Sequence, residues 1–584
     1  MKQGSEKKIV IVGGVACGAK TAARLSRICP EADITLLERG QDLSYANCGF
    51  PFYLGGEVAD RTDLTHMGFG PERDAAYFEN YAFTKALTGH EVTSIDRARK
   101  EVTVNAAGEG TVKVFPYDKL VLATGASPIR PDIPGMALAN VFTLWTLRDA
   151  LAIREVLDVR QPEKAVVVGA GLVGVETAES LRRRGLHVTL IDVLPYPLLA
   201  VAGPELGALL QTRLEKNGVL FHGGETVKEL KGDRENSAIR KVLTEKREHD
   251  ADQVVVSVGV RPNVELSREA GLALGSKAIR VDEFQRTSDP DIYAGGDCAE
   301  SIDTVTGNFV WQPMGSTANR QGRVIADHIA ALTLSKPESA RPFGGVTGTS
   351  IVRVFDWSAG KTGLSFEAAE RSGFSPVEIL TANPDLPNFM PGSSMLFVRL
   401  VADGPTRRIL GAQIAGPGRV DKRVDVAATA LKGQLTVDDL ADTDLAYAPP
   451  FSSALDPITH AANALRNKMD GLMKTYGPAQ LKAKAEKGDD FVVLDVRNEK
   501  ELLRFGKLPY EILHIPLGEL RERRGRRGKR EALPEKREIV IVCRAGVRAW
   551  NAYSILARQG YQNIAVLEGG MSAWPYETVP HQTL

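Results

Sequence analysis

One pattern occurs twice in this chain and limits its fold more than any other feature: a strand, a glycine-rich turn, a helix, and a second strand ending in an acid. The first copy runs from Lys8–Val12 (KIVIV) through Gly13-Gly14-Val15-Ala16-Cys17-Gly18 into a helical pattern over 19–28, then to a strand over 34–37 that ends at Glu38. Its β-branched run reads as a buried parallel strand. The second copy is cleaner: Ala165–Val168, then Gly169-Ala170-Gly171-Leu172-Val173-Gly174, a helix to about Arg184, and His187–Ile191 ending at Asp192. Glycines let the backbone approach a pyrophosphate at the helix N-terminus, and the strand-end acid accepts hydrogen bonds from a ribose diol. The expected nucleotide contacts are Gly13, Gly14, Ala16, Gly18, Glu38 and the adjoining Arg39 in the first copy. In the second they are Gly169, Gly171, Leu172, Val173, Gly174 and Asp192, with Glu176 directed toward the nicotinamide and Glu179 solvent-facing or structural. Val15 stands where a middle glycine is usual. Two copies imply two dinucleotides. An acid at residue 192, rather than an arginine, favours NADH, with NADPH as the alternative.

A chain of 584 residues exceeds one core, so roughly three to five domains are expected. Lys+Arg and Asp+Glu both number 73, which gives no reason to expect nucleic acid or an anionic membrane as partner. No apolar run approaches the ~18 residues that span a bilayer, and the N-terminus does not read as a signal peptide. The five cysteines, Cys17, Cys29, Cys48, Cys298 and Cys543, are scattered and odd in number. That argues against a disulfide framework and against a metal site, and the expectation is a cytoplasmic protein with individually reactive thiols.

Three more segments join the two copies: Leu120–Leu122 ending in Ala123-Thr124-Gly125, Val254–Val258 ending in Gly259-Val260-Arg261-Pro262-Asn263, and Ile292–Ala294 ending in Gly295-Gly296-Asp297. With these turns the chain resembles the two-dinucleotide flavoprotein disulfide reductases. That resemblance implies FAD on the first unit, contacts from Thr124, Gly125 and Gly259, a ribityl contact from Asp297, and a second unit inserted into the first. Glutathione-reductase-like members carry two cysteines as Cys-x4-Cys. This chain has one, in Ser44-Tyr45-Ala46-Asn47-Cys48-Gly49, and so resembles the single-cysteine branch of coenzyme A disulfide, persulfide and polysulfide reductases and NADH oxidases. Ser44, Asn47 and Cys48 then form the catalytic segment. With one protein thiol, the second sulfur comes from the substrate, which Cys48 holds as a mixed disulfide.

Trp311–Arg323 resembles the family segment that crosses toward the flavin and opens a long helix. The residues from about 343 resemble the family's dimerisation domain, which implies a homodimer, and Tyr447 matches a tyrosine that reaches the partner's active site. Arg24, Arg27, Asn319 and Arg320 match substrate-contacting positions. Leu455 replaces a lysine of coenzyme A-binding relatives, and Phe389-Met390 replaces a Tyr-Tyr pair. Coenzyme A as ligand or substrate therefore stays open beside smaller persulfides and polysulfides.

The last hundred residues resemble a rhodanese. Strands at 491–494, 539–542 and 565–567 surround Cys543-Arg544-Ala545-Gly546-Val547-Arg548, in which backbone N–H groups and Arg548 stabilise a persulfide on Cys543. Asp495, Arg497 and Glu499 match scaffold positions, and the basic run Arg521–Arg530 reads as a solvated loop.

The expected fold is α/β: two nested doubly wound FAD- and NAD-binding domains (1–150 with 261–335, and 151–260), an α+β dimerisation domain (336–468), a linker (469–480) and a C-terminal α/β rhodanese domain (481–584). The expected activity is FAD-dependent NAD(P)H reduction of persulfide, polysulfide or coenzyme A disulfide through Cys48, with sulfane sulfur carried on Cys543. The alternatives are an NADH oxidase or peroxidase that cycles Cys48 through sulfenic acid, and a sulfurtransferase that delivers persulfide to a partner.

Overall fold

The computed structural model describes residues 7–581 apart from 67, 69, 108–109, 234, 236, 523–532 and 535. The basic run, beyond its first two residues, lies outside the described residues. Two compact units make up the chain: Met1–Val193 with Gly218–Val346, and Leu194–Asn217 with Thr347–Leu584.

The first unit holds two parallel five-stranded sheets. In the first sheet the order is Ile292–Ala294, Lys119–Leu122, Lys7–Val12, Ala32–Leu37, Thr84–Leu87. Side chains alternate across a strand, so Ile9 and Ile11 enter one core with Leu25 of the helix Cys17–Ile28, while Val10 and Val12 enter another with Val102 and Val104. The helix Gly315–Thr333 packs against Cys17–Ile28. The two backbones come so close that a Cβ on Gly322 would lie 2.5 Å from the Cys17 carbonyl oxygen.

The second sheet is ordered Val219–Gly223, His187–Asp192, Lys164–Val168, Gln253–Val256, Val141–Thr143. Val141–Thr143 lies before residue 151, so this sheet begins earlier than the expected domain boundary. A short strand has no periodicity of its own, and its pairing with Val254–Val256 decides where it belongs. A two-stranded ribbon, Ala126–Pro128 against Val260–Pro262, links the turns that end the two sheets' strands.

In the second unit an antiparallel sheet is ordered Ser350–Val354, Trp357–Gly363, Ile409–Gly416, Met395–Asp403, Pro376–Pro384. The helices Leu199–Lys216, Val420–Lys432 and Pro457–Met469 pack on it. The C-terminal sheet is parallel: Thr475–Tyr476, Ile564–Leu567, Glu538–Val542, Phe491–Asp495, Ile512–His514. Thr475–Tyr476 and the helix Pro478–Glu486 occupy part of the stretch expected to be a linker. That stretch is structured because it completes the sheet edge beside Val566–Leu567.

Charged side chains join the two sheets of this unit. Glu568 accepts from Leu380 N at 2.8 Å, Lys468 Nζ at 2.8 Å and Thr475 Oγ1 at 2.6 Å. Arg399 Nη2 donates to Glu205 at 2.5 Å, and its Nε lies 3.7 Å from Glu378. Burial, with help from Glu568 and Glu205 and against Arg399 and Lys468, pushes the Glu378 carboxyl up from 4.5 to about 7. Folding therefore takes up a proton at Glu378. Its contribution to stability is fully present below about pH 4.5 and is lost as pH rises through about 7. Glu378→Gln should flatten the fall in melting temperature between about pH 5 and pH 8 relative to the parent protein. Equal slopes for parent and variant would refute this.

Candidate active site

The helix Cys17–Ile28 starts after Ala16 with no side-chain cap, so its first N–H groups remain available to a ligand. They face a cavity of about 920 Å³ at the C-terminal ends of the first sheet's strands. Gly13, Gly14, Val15, Ala16, Glu38, Arg39, Thr124, Gly125 and Asp297 all line it. Gly18 lies behind the loop, where a Cβ would come within 1.8 Å of the Gly13 carbonyl oxygen. Val15 faces the cavity without closing it. The Glu38 carboxylate sits at its strand end and accepts from Gly14 N and Gly40 N, each at 2.7 Å. Burial pushes the Asp297 carboxyl up to about 6. An uncapped helix end, a positioned strand-end acid and a second, half-buried acid lining one cavity fit FAD.

Asn263 was not singled out from the sequence as a site residue, although it closes the Gly-x-Arg-Pro turn. Its amide donates to the Thr124 carbonyl at 2.7 Å, and its carbonyl oxygen accepts from Thr124 Oγ1 at 2.8 Å. Ser127 Oγ donates to its side-chain oxygen at 2.7 Å. Asn263 thus clasps the two strand-end turns at the cavity wall. Gln321 does similar work at the third turn, accepting from Gly296 N at 2.7 Å.

Ser44 adopts φ +46°, an uncommon conformation for a residue with a side chain, and its N–H donates to the Gly14 carbonyl at 2.9 Å. This bond ties the cysteine segment to the glycine loop. Asn47–Gly49 form a 3₁₀ turn that runs into the helix Phe50–Gly55, with Pro51 in its first turn. Tyr45 stacks on Phe50 at 5.8 Å. Arg154 donates to the Tyr53 carbonyl at 2.5 Å and lies over its ring. Asn47 lines the cavity, and the next residue, Cys48, is exposed.

The other thiols of this unit correct the expectation of reactive cysteines throughout. Cys17, Cys29 and Cys298 are buried, and burial raises their pKa, which disfavours the thiolate. Two expected substrate arginines also have protein partners. Arg24 donates to Asp327 at 2.7 Å, and Arg320 donates to the Gly345 carbonyl at 2.7 Å while lying over Phe343. Arg27 and Asn319 are exposed, and the Asn319 amide donates to the Gly315 carbonyl.

The second glycine loop repeats the first. Gly169 has φ +103°, and a Cβ on it would lie 2.2 Å from the Ser257 carbonyl oxygen; one on Gly174 would lie 1.9 Å from the Gly169 oxygen. Gly171 faces open space and precedes the uncapped helix Leu172–Arg183, which carries Leu172, Val173 and Glu176. Asp192 accepts from Ala170 N at 2.5 Å. Gly259 opens the joining turn at φ +107°. Glu179 is buried and paired with Arg183, the structural half of its expected role.

In the second unit Tyr447 is exposed. Cys543 directly follows the strand Glu538–Val542, and its Sγ accepts from Gly546 N at 3.0 Å just before the helix Val547–Arg558. Arg548 donates two bonds of 2.6 Å to Glu501, which is held in turn by a capping box with Asn498. This ion pair pushes the guanidinium pKa further up, and the nearby Cys543 contributes. Asp495 and Arg497 form a fully buried pair beneath the loop, as scaffold residues would. Among the described residues no helix is long and apolar enough to cross a membrane.

Residues 7–309 match the pyridine nucleotide-disulphide oxidoreductase family, 349–458 its dimerisation domain and 477–576 the rhodanese-like domain. The NAD(P)H coenzyme A polysulfide/persulfide reductase of Pyrococcus horikoshii is 33% identical over 80% of this chain and 100% of its own length. The structure of a NAD-dependent persulfide reductase from A. fulgidus aligns with a TM-score of 0.89 and 37% identity, covering 97% of this chain and 100% of that one. That of reduced Bacillus anthracis CoADR-RHD aligns with a TM-score of 0.89 and 34% identity over 98% of both chains. The chain belongs to the pyridine nucleotide-disulphide oxidoreductases, with that family's dimerisation domain and a rhodanese-like domain fused behind it.

Proposed function

We propose that the protein is an FAD-dependent NAD(P)H reductase of persulfide, polysulfide or coenzyme A disulfide bonds that works through Cys48, with Cys543 as a sulfane-sulfur carrier. The observation that carries this reading is the placement of Cys48. It is the exposed cysteine of the chain, one residue from the cavity-lining Asn47.

FAD, when bound, supplies the two-electron relay between the nicotinamide and sulfur. The chain's residues do the rest. The uncapped N–H groups in the first turn of the helix Cys17–Ile28 would take the diphosphate, Glu38 the ribose, and Asp297 a ribityl hydroxyl. Cys48 attacks one sulfur of the substrate; a Cys48–sulfur bond forms and the other sulfur leaves as a thiolate. Two electrons then break the new bond, release the second product and restore the Cys48 thiolate. Tyr447 is the proposed proton donor to the leaving sulfur, reaching it from a second copy of the chain. Tyr447, Phe451 and Leu455, each exposed by more than half, give that homodimer an apolar contact. A cytoplasmic location agrees with the unpaired cysteines. Asp192 favours NADH by accepting from a free ribose 2′-hydroxyl. Coenzyme A recognition is weakened by Leu455 and Phe389-Met390, and the ion pairing of Arg24 weakens it further. The fused rhodanese domain favours sulfur over oxygen chemistry, since peroxide reduction needs no sulfur carrier. Comparing NADH consumption with oxygen, peroxide, polysulfide and coenzyme A disulfide tests the reading, and rapid turnover with peroxide alone would reverse it.

Cys48→Ser should lower reduction of sulfur substrates by about 10³-fold or more with FAD retained, while Cys543→Ser should chiefly lower sulfur transfer and part of persulfide turnover. Full reductase activity in Cys48→Ser would refute the assignment. Tyr447→Phe should slow turnover by about 10²-fold and spare FAD binding; unchanged turnover removes the proton-donor role. Asp192→Ala should lower kcat/KM for NADH by about tenfold and leave that for NADPH nearly constant, as read from paired steady-state assays.

A further inference from the structure

A second cavity, of about 210 Å³, lies in the second unit beside the rhodanese loop. The loop segment Ala545-Gly546-Val547 forms part of its wall, and Gly546 is the residue whose N–H holds Cys543 Sγ. The helix Pro457–Met469 of the dimerisation domain contributes His460, Asn463 and Asn467 to the same lining. Met473 and Trp550 add apolar surface. Glu568 is the other ionisable residue lining it, and its carboxylate is already occupied by Lys468, Thr475 and the Leu380 N–H. No cation lines the cavity among the described residues. A space of this size, apolar with neutral amides and no positive charge, suits a small uncharged molecule and disfavours an anion.

We infer that this cavity is the acceptor subsite of the sulfurtransferase, that it takes a small uncharged thiol, and that His460 is the base that deprotonates it. The inference rests on the reading of Cys543 as a sulfane-sulfur carrier. The thiol R–SH passes its proton to the His460 imidazole. The resulting thiolate attacks the outer sulfur of the Cys543 persulfide; a bond forms between R–S and that sulfur, and the bond from that sulfur to Cys543 Sγ breaks. The electron pair stays on Cys543 Sγ, which accepts from Gly546 N–H, and the acceptor leaves as R–S–SH. No net oxidation occurs, and the product belongs to the persulfide class proposed as the substrate of Cys48.

The charge state of His460 agrees with this role. Burial lowers its pKa, opposed by Asp456 at the N-cap of its own helix, so the ring is neutral and able to take a proton near pH 7. Glu568 across the cavity is paired with Lys468 and does not supply a free counter-charge.

In the full-length holoenzyme, Cys543 is loaded from a polysulfide and its persulfide measured by peptide mass. Transfer to 2-mercaptoethanol is then followed without nicotinamide from about pH 5.5 to 8.5. Transfer by the parent protein should fall as His460 becomes protonated at low pH, and 3-mercaptopropionate should be the poorer acceptor. His460→Gln should lower transfer per loaded Cys543 by about 10²-fold and remove the acid limb. Ala464→Phe, which fills the cavity from the same helix, should raise the acceptor KM by about tenfold. Normal loading with unchanged rates, acceptor KM and pH profiles in both variants overturns the inference alone. Failure of the parent protein to load Cys543 overturns the carrier reading and this inference with it.

Discussion

No side chain fits where strand meets helix in either nucleotide-binding unit. A Cβ on Gly13 would lie 2.1 Å from the Ala123 carbonyl oxygen, and one on Gly169 2.2 Å from that of Ser257. Both glycines have φ +103°, so any other residue there would also be strained. This close approach brings the neighbouring strand's turn up to the helix N-terminus, and in the first unit the cavity forms between them. Ser44 binds the Gly14 carbonyl, so the cysteine segment is registered on the same loop. Placement of Cys48 near the nucleotide cavity thus depends on a glycine contact about thirty residues earlier in the chain. The middle position of the loop is less demanding: Gly171 meets open space, and Val15 lies on the cavity wall.

The chain separates its thiols by environment. Four are buried: at Cys17, Cys29 and Cys298 desolvation opposes the thiolate, whereas Cys543 receives the Gly546 N–H; Cys48 is at the surface. Nucleophilic sulfur chemistry needs a thiolate, which leaves Cys48 and Cys543 as the two places suited to it. The rhodanese loop is supported from below by the buried Asp495–Arg497 pair and from the side by Glu501 on Arg548. Removing either support would leave an uncompensated charge, a loss of about 3–5 kcal/mol where the pair is buried.

The joint between the antiparallel sheet and the C-terminal sheet is unusually polar. Glu205, Arg399, Glu378, Lys468 and Glu568 occupy positions that apolar residues would fill in a simple core. Buried ion pairs contribute little net stability but penalise wrong geometry. One of them ties Glu568, at the end of the strand Ile564–Leu567, to Lys468 of the helix Pro457–Met469, and His460 of that helix lines the same cavity as the rhodanese loop.

Local sequence was enough for the elements whose chemistry is local. The two glycine fingerprints, their strand-end acids, the Gly-x-Arg-Pro and Gly-Gly-Asp turns and the Cys543 loop each need particular residues at short fixed spacing, and that spacing can be read along the chain. Tertiary structure decided what depends on distant partners. Arg24 meets Asp327 and Arg548 meets Glu501 across long stretches of chain, so their side chains looked free in the sequence. Val141–Thr143 and Thr475–Tyr476 are too short to show a period, and only sheet pairing assigns them. The two thiols proposed to react were marked by their immediate neighbours, whereas the burial of Cys17, Cys29 and Cys298, and the cavity lined by both His460 and the rhodanese loop, arise only when segments far apart in sequence pack together.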